Sequence, residues 1–287
     1  MAAIVGVHGI AQQFKGAAIL HEEWWPALQD GLGAAHRDLG DRTLVCAFYG
    51  GLFRPSGEVR EAGETSFRAA DVQDPFEQRL LQNWWAAAAT AEPDRVVRPG
   101  AEVRRATPST VQAGLRALSR SRFFAGLAES ALIGDLKQVR RYLQEPSLRR
   151  AAQAAVHAVV TPETRVLVAH SLGSVVAYEA LHRYATEANW ANVQSLVTLG
   201  SPLGIDNLIF HALLPPPEGG TGLWPGLLRR WVNVSDDGDV VALVKRLGNL
   251  FPGGIVDMRI HNGAQAHDVR PYLTARETGA AIADQLS

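Results

Sequence analysis

Six short runs rich in β-branched and aliphatic residues are spread along the chain, and the stretches between them carry apolar residues at helical spacing. The runs are AIVGVH (3–8), RTLVCAFY (42–49), RVLVAH (165–170), VQSLVTLG (193–200), RRWVNVSD (229–236) and GIVDMRIH (254–261). Their near-continuous apolar character suits strands covered on both faces, since a strand with one wet face alternates polar and apolar residues. Strands that alternate with helix-length connections imply a mainly parallel sheet of about six strands flanked by helices, an α/β fold.

With 287 residues, 47% of them hydrophobic, the chain is long enough to bury a full core, and a single domain over 1–287 is expected. The formal charge of −1 is spread among interspersed acidic and basic residues, so no global field favours nucleic acid or an anionic membrane. Cys46 is the only cysteine, which excludes an internal disulfide and a cysteine zinc cluster. MAAIVGVHGIAQQFK lacks a basic leader, and no stretch approaches the ~18 uninterrupted apolar residues of a membrane span. These features imply a soluble, cytoplasmic chain, and they leave its oligomeric state open.

Between Tyr49 and Thr161 the alternation stops. DPFEQRLLQNWWAAAATAE opens with Asp74 as helix cap, Pro75 at the first helical position and Glu77 at the capping-box position, and TPSTVQAGLRALSRSRFF repeats that logic with Thr107 and Pro108. GDLKQVRRYLQEP and SLRRAAQAAVHAVV are also helical in pattern, so roughly 54–145 is expected to be an all-helical insertion. Trp84, Trp85, Phe123 and Phe124 could serve its own core or line a pocket, and the core has the stronger claim because an amphipathic helix needs an interior first. Arg116, Arg120 and Arg122 form a basic run that reads as a solvated face. The segment from about Leu20 to Leu39 is helical with Pro26 inside it, so the helix starts or kinks there. LLPPPEGGTGLWPG (213–226) is a Pro/Gly-rich loop.

Four motifs sit at strand ends. In VLVAHSLGS (166–174), a strand runs through a turn of small residues into a helix, which makes Ser171 either a turn serine or a nucleophile exposed at the sheet edge. VHGI (7–10) places His8 and Gly9 in a turn after the first strand. WVNVSDDGDVVAL (231–243) puts Asp236, Asp237 and Asp239 in a turn where a carboxylate can accept from an imidazole, and HNGAQAHDVRPYL (261–273) supplies His261 and His267. A serine nucleophile needs a base, a carboxylate to orient it and N–H donors for the oxyanion, and these motifs offer a candidate for each.

AHSLG resembles the G-x-S-x-G nucleophile elbow of the α/β-hydrolase superfamily, with Ala169 in place of the first glycine. The resemblance covers both ends of the chain and its middle, and leaves the 54–145 stretch outside as a helical cap or lid. It implies Ser171, Asp239 and His267 as triad, in the order expected of that family, with Asp236 the alternative acid. By the same resemblance the backbone N–H groups of Ile10 and Leu172 form the oxyanion hole, and His8, Gly9, His170 and Gly173 support the turns. TLGSPLG (198–204) is similar to lipase segments in which the residues at Gly200, Ser201 and Pro202 shape the site rim. The resemblance further implies an esterase or lipase-like serine hydrolase acting on a small-molecule or lipid ester or thioester, with no metal and no organic cofactor. A peptidase or acyltransferase on the same fold, or a non-catalytic interaction module using the helical insertion, are the other readings.

Overall fold

A computed structural model describes residues 2–54, 67–100, 107–124 and 128–286. Its strands are β1 (Ala2–Val7), β2 (Thr43–Ala47), β3 (Val166–His170), β4 (Ser195–Leu199), β5 (Arg230–Asp236) and β6 (Val256–Ile260), and its helices are α1 (Ala17–Ala34), α2 (Pro75–Ala91), α3 (Pro108–Arg120), α4 (Glu129–Gln144), α5 (Pro146–His157), α6 (Leu172–Arg183), α7 (Val269–Thr274) and α8 (Arg276–Ala283). The strands form one sheet in the order β2-β1-β3-β4-β5-β6, and every neighbouring pair is parallel. Each of the six apolar runs contains one strand.

The two-residue period of the strands divides the core in two. Ile4, Val166, Val168, Val197, Leu199, Val232 and Val234 point to one face, where they meet Leu20, Trp24 and Leu28 of α1, Leu273 of α7 and Ile282 of α8. Val5, Val7, Leu167, Ala169 and Leu196 point to the other, where they join the apolar residues of α2 to α6. The result is a three-layer α/β arrangement with the C-terminal ends of the strands on one edge.

Two local expectations are corrected. α1 does not start at Pro26 but runs through it from Ala17, which leaves a proline inside the helix. Pro26 and Glu22, the residue four back whose carbonyl the proline leaves without a helical donor, are both exposed, so the interruption lies on the solvent side of the helix. In α2, Asp74 caps as expected, its side chain accepting the Phe76 N–H at 2.8 Å. Glu77 does not complete a capping box; it is buried and paired with Lys137 at 3.2 Å and Arg140 at 2.7 Å, which ties α2 to α4. α3 does carry the reciprocal cap, between Thr107 and Thr110.

The 54–145 stretch contains α2, α3 and α4, while its residues 55–66, 101–106 and 125–127 lie outside those described. Its aromatic residues divide. Trp85 and Phe124 are core, the Trp85 indole donating to the Val97 carbonyl at 2.7 Å, and Phe123 packs its ring 5.5 Å from that of His267. Arg116, Arg120 and Arg122 are exposed, and Arg122 approaches Glu92 at 3.9 Å. Among the described residues no helix is long and apolar enough to cross a membrane.

Candidate active site

Ser171 occupies the single residue between β3 and α6, with φ 53° and ψ −130°. That left-handed backbone is one an L-residue rarely adopts, and it costs on the order of 1–3 kcal/mol. The turn closes because its neighbours are small. A Cβ on Gly173 would lie 2.2 Å from the Val7 carbonyl oxygen, and one on Gly9 would lie 2.8 Å from the Ser171 Cβ, so the end of β1 and the elbow pass each other with no room for side chains. The Ser171 N–H donates to Leu199 O at 3.0 Å. Ser174 Oγ donates to Ser171 O at 2.6 Å and shares a 2.8 Å hydrogen bond with Ser201 Oγ, fixing the elbow to the Gly-Ser-Pro turn after β4.

His267 and Asp239 meet Ser171 at this edge. His267 Nε2 lies 2.9 Å from Ser171 Oγ, and His267 Nδ1 lies 2.8 Å from Asp239 Oδ2. Asp239 is 2 % exposed. Its Oδ1 accepts from the Val241 and Ala242 N–H groups at 2.9 and 3.2 Å, and its Oδ2 accepts from the Tyr272 hydroxyl at 2.8 Å. Burial alone would raise the Asp239 carboxyl; His267, Lys245 and Tyr272 together outweigh it and bring it down to about 2, so it is ionised at neutral pH. Gly200, at φ 54°, passes so close that a Cβ there would stand 2.7 Å from Asp239 Oδ2 and 3.1 Å from His267 Nδ1.

The alternative acid has a different task. Asp236 Oδ1 accepts from the Gly238 N–H at 2.6 Å, and its Oδ2 accepts from the Asn262 N–H, so it shapes two turns instead of facing His267. His261 is largely exposed, 3.9 Å from Asp236. Asp237 is exposed and paired with Arg259. Lys245 Nζ donates to the carbonyls of both Asp236 and Asp239, at 2.5 Å each, and holds the acidic turn together.

Ile10 and Leu172 flank Ser171 at one narrow cavity, whose other walls include Pro202, Ile205, Ile209 and Val241 and, from the helical stretch, Trp84 and Val139. Among the described residues neither the Ile10 nor the Leu172 backbone N–H has a protein acceptor. α4 reaches over to the turn after β1, where Gln138 Oε1 accepts the Ala11 N–H at 3.1 Å. Ile10 and Leu172 thus stand beside a serine at the start of a helix, whose dipole favours negative charge. Among the described residues no group of three or more His, Cys, Asp or Glu side chains could hold a metal ion.

The supporting histidines are both buried. His8 Nδ1 lies 2.7 Å from Gly9 O, its Nε2 accepts the Tyr49 N–H at 3.2 Å, and its ring stacks on Tyr49, which fixes the neutral tautomer with the proton on Nδ1. His170 Nε2 lies 2.8 Å from the His267 carbonyl oxygen. Burial pushes His8 down to about 4; burial, with His267 beside it, pushes His170 down to about 3. The unfolded chain protonates both near 6.5, so below that it binds more protons than the folded chain. Stability is then full above about pH 6.5 and falls as the pH drops towards 4 and 3, by up to ~1.4 kcal/mol per pH unit for each histidine. Urea unfolding of wild type and His170→Asn at pH 6 and 4.5 tests this. The variant is expected to shed one histidine's share of the slope, up to ~1.4 kcal/mol per pH unit, and an unchanged slope would mean that His170 is charged in the folded protein.

Two residues here had only a weak sequence signal. Tyr272 follows His267 in the RPYL segment and could have been suspected from that proximity, whereas Gln138 lies mid-helix with nothing in its surroundings to mark it. Compared with protein-family models, with curated proteins and with solved structures, the chain matches none of them.

Proposed function

We propose that this protein is a serine hydrolase of α/β-hydrolase type that cleaves an ester or thioester through an acyl-enzyme. The observation that carries the reading is the continuous relay Ser171 Oγ to His267 Nε2 to Asp239 Oδ2, at 2.9 and 2.8 Å, hung on a serine with positive φ at a strand-to-helix turn. A structural serine has no need of that backbone strain or of an imidazole oriented by a buried carboxylate.

In the first step Ser171 Oγ attacks the carbonyl carbon while its proton passes to His267 Nε2, and the carbonyl oxygen becomes an oxyanion held by the Ile10 and Leu172 N–H groups. Asp239 keeps the His267 proton on Nδ1 and stabilises the imidazolium. The tetrahedral intermediate collapses, and the C–O or C–S bond breaks as His267 returns the proton to the leaving alcohol or thiol. Water, deprotonated by His267, then attacks the acyl-serine and releases the acid. No metal or organic cofactor takes part. The helical stretch that contributes Trp84 and Val139 acts as a cap over the cavity, and the substrate is a small-molecule or lipid ester.

The space beside Ser171 is a tight apolar crevice, walled by Ile10, Leu172, Ile205, Ile209 and Val241. A series of p-nitrophenyl esters of increasing acyl length, assayed below and above the micellar threshold, tests the reading. kcat/KM should peak at the shortest acyl chains in free solution, because so tight a crevice leaves no room for a long one. Activity that appears only with micelles would make the helical cap a mobile lid, and hydrolysis of none of the esters would count against an esterase.

A further inference from the structure

The His267 imidazole is held at both nitrogens, by Asp239 Oδ2 at 2.8 Å and by Ser171 Oγ at 2.9 Å. Bonds at those two points leave the ring able to roll about the line between them, so its plane must be fixed by packing. Two aromatic neighbours do this. His170, at the end of β3, lies 4.7 Å away between ring centroids, and Phe123, from the helical stretch, lies 5.5 Å away with its plane tilted by 36°.

The position of Phe123 is itself set from α2. Glu92, the residue after that helix, accepts the Ser121 hydroxyl at 2.9 Å on Oε1 and the Arg122 N–H at 2.9 Å on Oε2. Ser121 is fully buried, and its Oγ accepts the Phe123 N–H at 3.1 Å. Behind Phe123 the Phe124 ring stands edge-on at 4.4 Å, and it packs in turn against Trp84 of α2 at 5.9 Å. One carboxylate and one ring stack therefore carry the placement of α2 through to the catalytic imidazole.

Resting on the serine-hydrolase reading of Ser171, we propose that Phe123 is a positioning residue for His267, anchored in that role by Glu92, so that the helical stretch acts on the chemistry and not only on access to it. The reason is charge. When Ser171 gives up its proton, His267 becomes an imidazolium, and an aromatic ring within about 6 Å attracts a cation. The neutral imidazole draws less from the same ring, so the contact is stronger in the transition state than before it and raises kcat without tightening substrate binding. The gain recurs in deacylation, where His267 takes a proton from water.

Turnover of p-nitrophenyl acetate tests this. Phe123→Leu keeps an apolar side chain but no ring, and it should lower kcat about three- to tenfold while KM stays within about twofold. Phe123→Tyr, which keeps the ring, should recover kcat. Glu92→Ala removes the anchor and should lower kcat in the same direction, and the double variant Glu92→Ala/Phe123→Leu should lose no more than Phe123→Leu alone, because both act through one contact. A second readout is independent of turnover: in the protein labelled with ¹³C-histidine, the imidazole signal that His267→Gln removes feels the ring current of Phe123, so Phe123→Leu and Glu92→Ala should move it and Phe123→Tyr should not. If Phe123→Leu keeps its kcat, if its loss falls on KM alone, if Phe123→Tyr restores nothing, or if the losses at Glu92 and Phe123 add, the inference is wrong. If no ester is turned over and Ser171 resists fluorophosphonate, the hydrolase reading fails instead, and the His267 signal alone decides whether Glu92 and Phe123 set that ring.

Discussion

Ser171→Ala is expected to abolish labelling by a fluorophosphonate probe and to lower ester turnover by about 10⁴-fold or more, because the residual rate would come only from substrate binding and the oxyanion donors. The loss should be chemical and not structural. The elbow is held by the Ser171 N–H to Leu199 O bond, by Ser174 and by the close passage of Gly173 under β1, none of which uses the Ser171 hydroxyl. Ser171→Gly separates the two effects further. It is equally inactive, yet it relieves the backbone strain at φ 53°, so it should unfold at a higher temperature than Ser171→Ala by the equivalent of roughly 1 kcal/mol. Labelling by mass spectrometry and melting by calorimetry read the two effects. Equal labelling of wild type and Ser171→Ala, under conditions where a control hydrolase reacts, would sink the reading of Ser171 as nucleophile.

The second large effect is expected at Asp239. In Asp239→Asn the amide oxygen would keep the Val241 and Ala242 N–H bonds, which turns the Nδ2 group towards His267 Nδ1. The imidazole would answer by moving its proton to Nε2, where it faces Ser171 Oγ as a donor and cannot act as base. The same substitution in a serine protease triad costs about 10⁴ in kcat, and a loss of that order is expected here. Asp236→Asn makes the contrast. It would set an amide N–H against either the Gly238 or the Asn262 N–H, costing about 1–3 kcal/mol of stability while the folded protein keeps most of its kcat. The opposite pattern, full activity in Asp239→Asn and its loss in Asp236→Asn, would move the acid to Asp236.

Most of the sheet was legible because buried parallel strands are written as local apolar runs, and all six strands end within a few residues of those runs. The small residues of the elbow were legible too, since a turn that tight leaves its mark on neighbouring positions. Long-range pairings were not. Glu77 sits where a capping-box residue would, and only the approach of α4 with Lys137 and Arg140 gives it another partner. Asp236 and Asp239 are near-equivalent in sequence, and what separates them is which N–H groups the folded turn brings to each carboxylate. The Trp84–Trp85 pair behaves likewise. Adjacent residues on one helix face different surroundings, the Trp85 indole meeting a carbonyl and the Trp84 side chain lining the space beside Ser171.

The strand order also governs how the protein is made. β1 is synthesised before both of its neighbours but sits inside the sheet, between β2 and β3. β2 comes soon after it, yet β3 begins only at Val166, and at about 5–20 residues per second the growing chain carries an open β1 edge for on the order of ten seconds. That edge is apolar and unpaired throughout, a template for any extended segment nearby. Meanwhile α2, α3 and α4 leave the ribosome, ahead of β3 and α6. Trp84 and Val139 are therefore synthesised before Ser171, and one wall of the cavity waits for the residues that complete it.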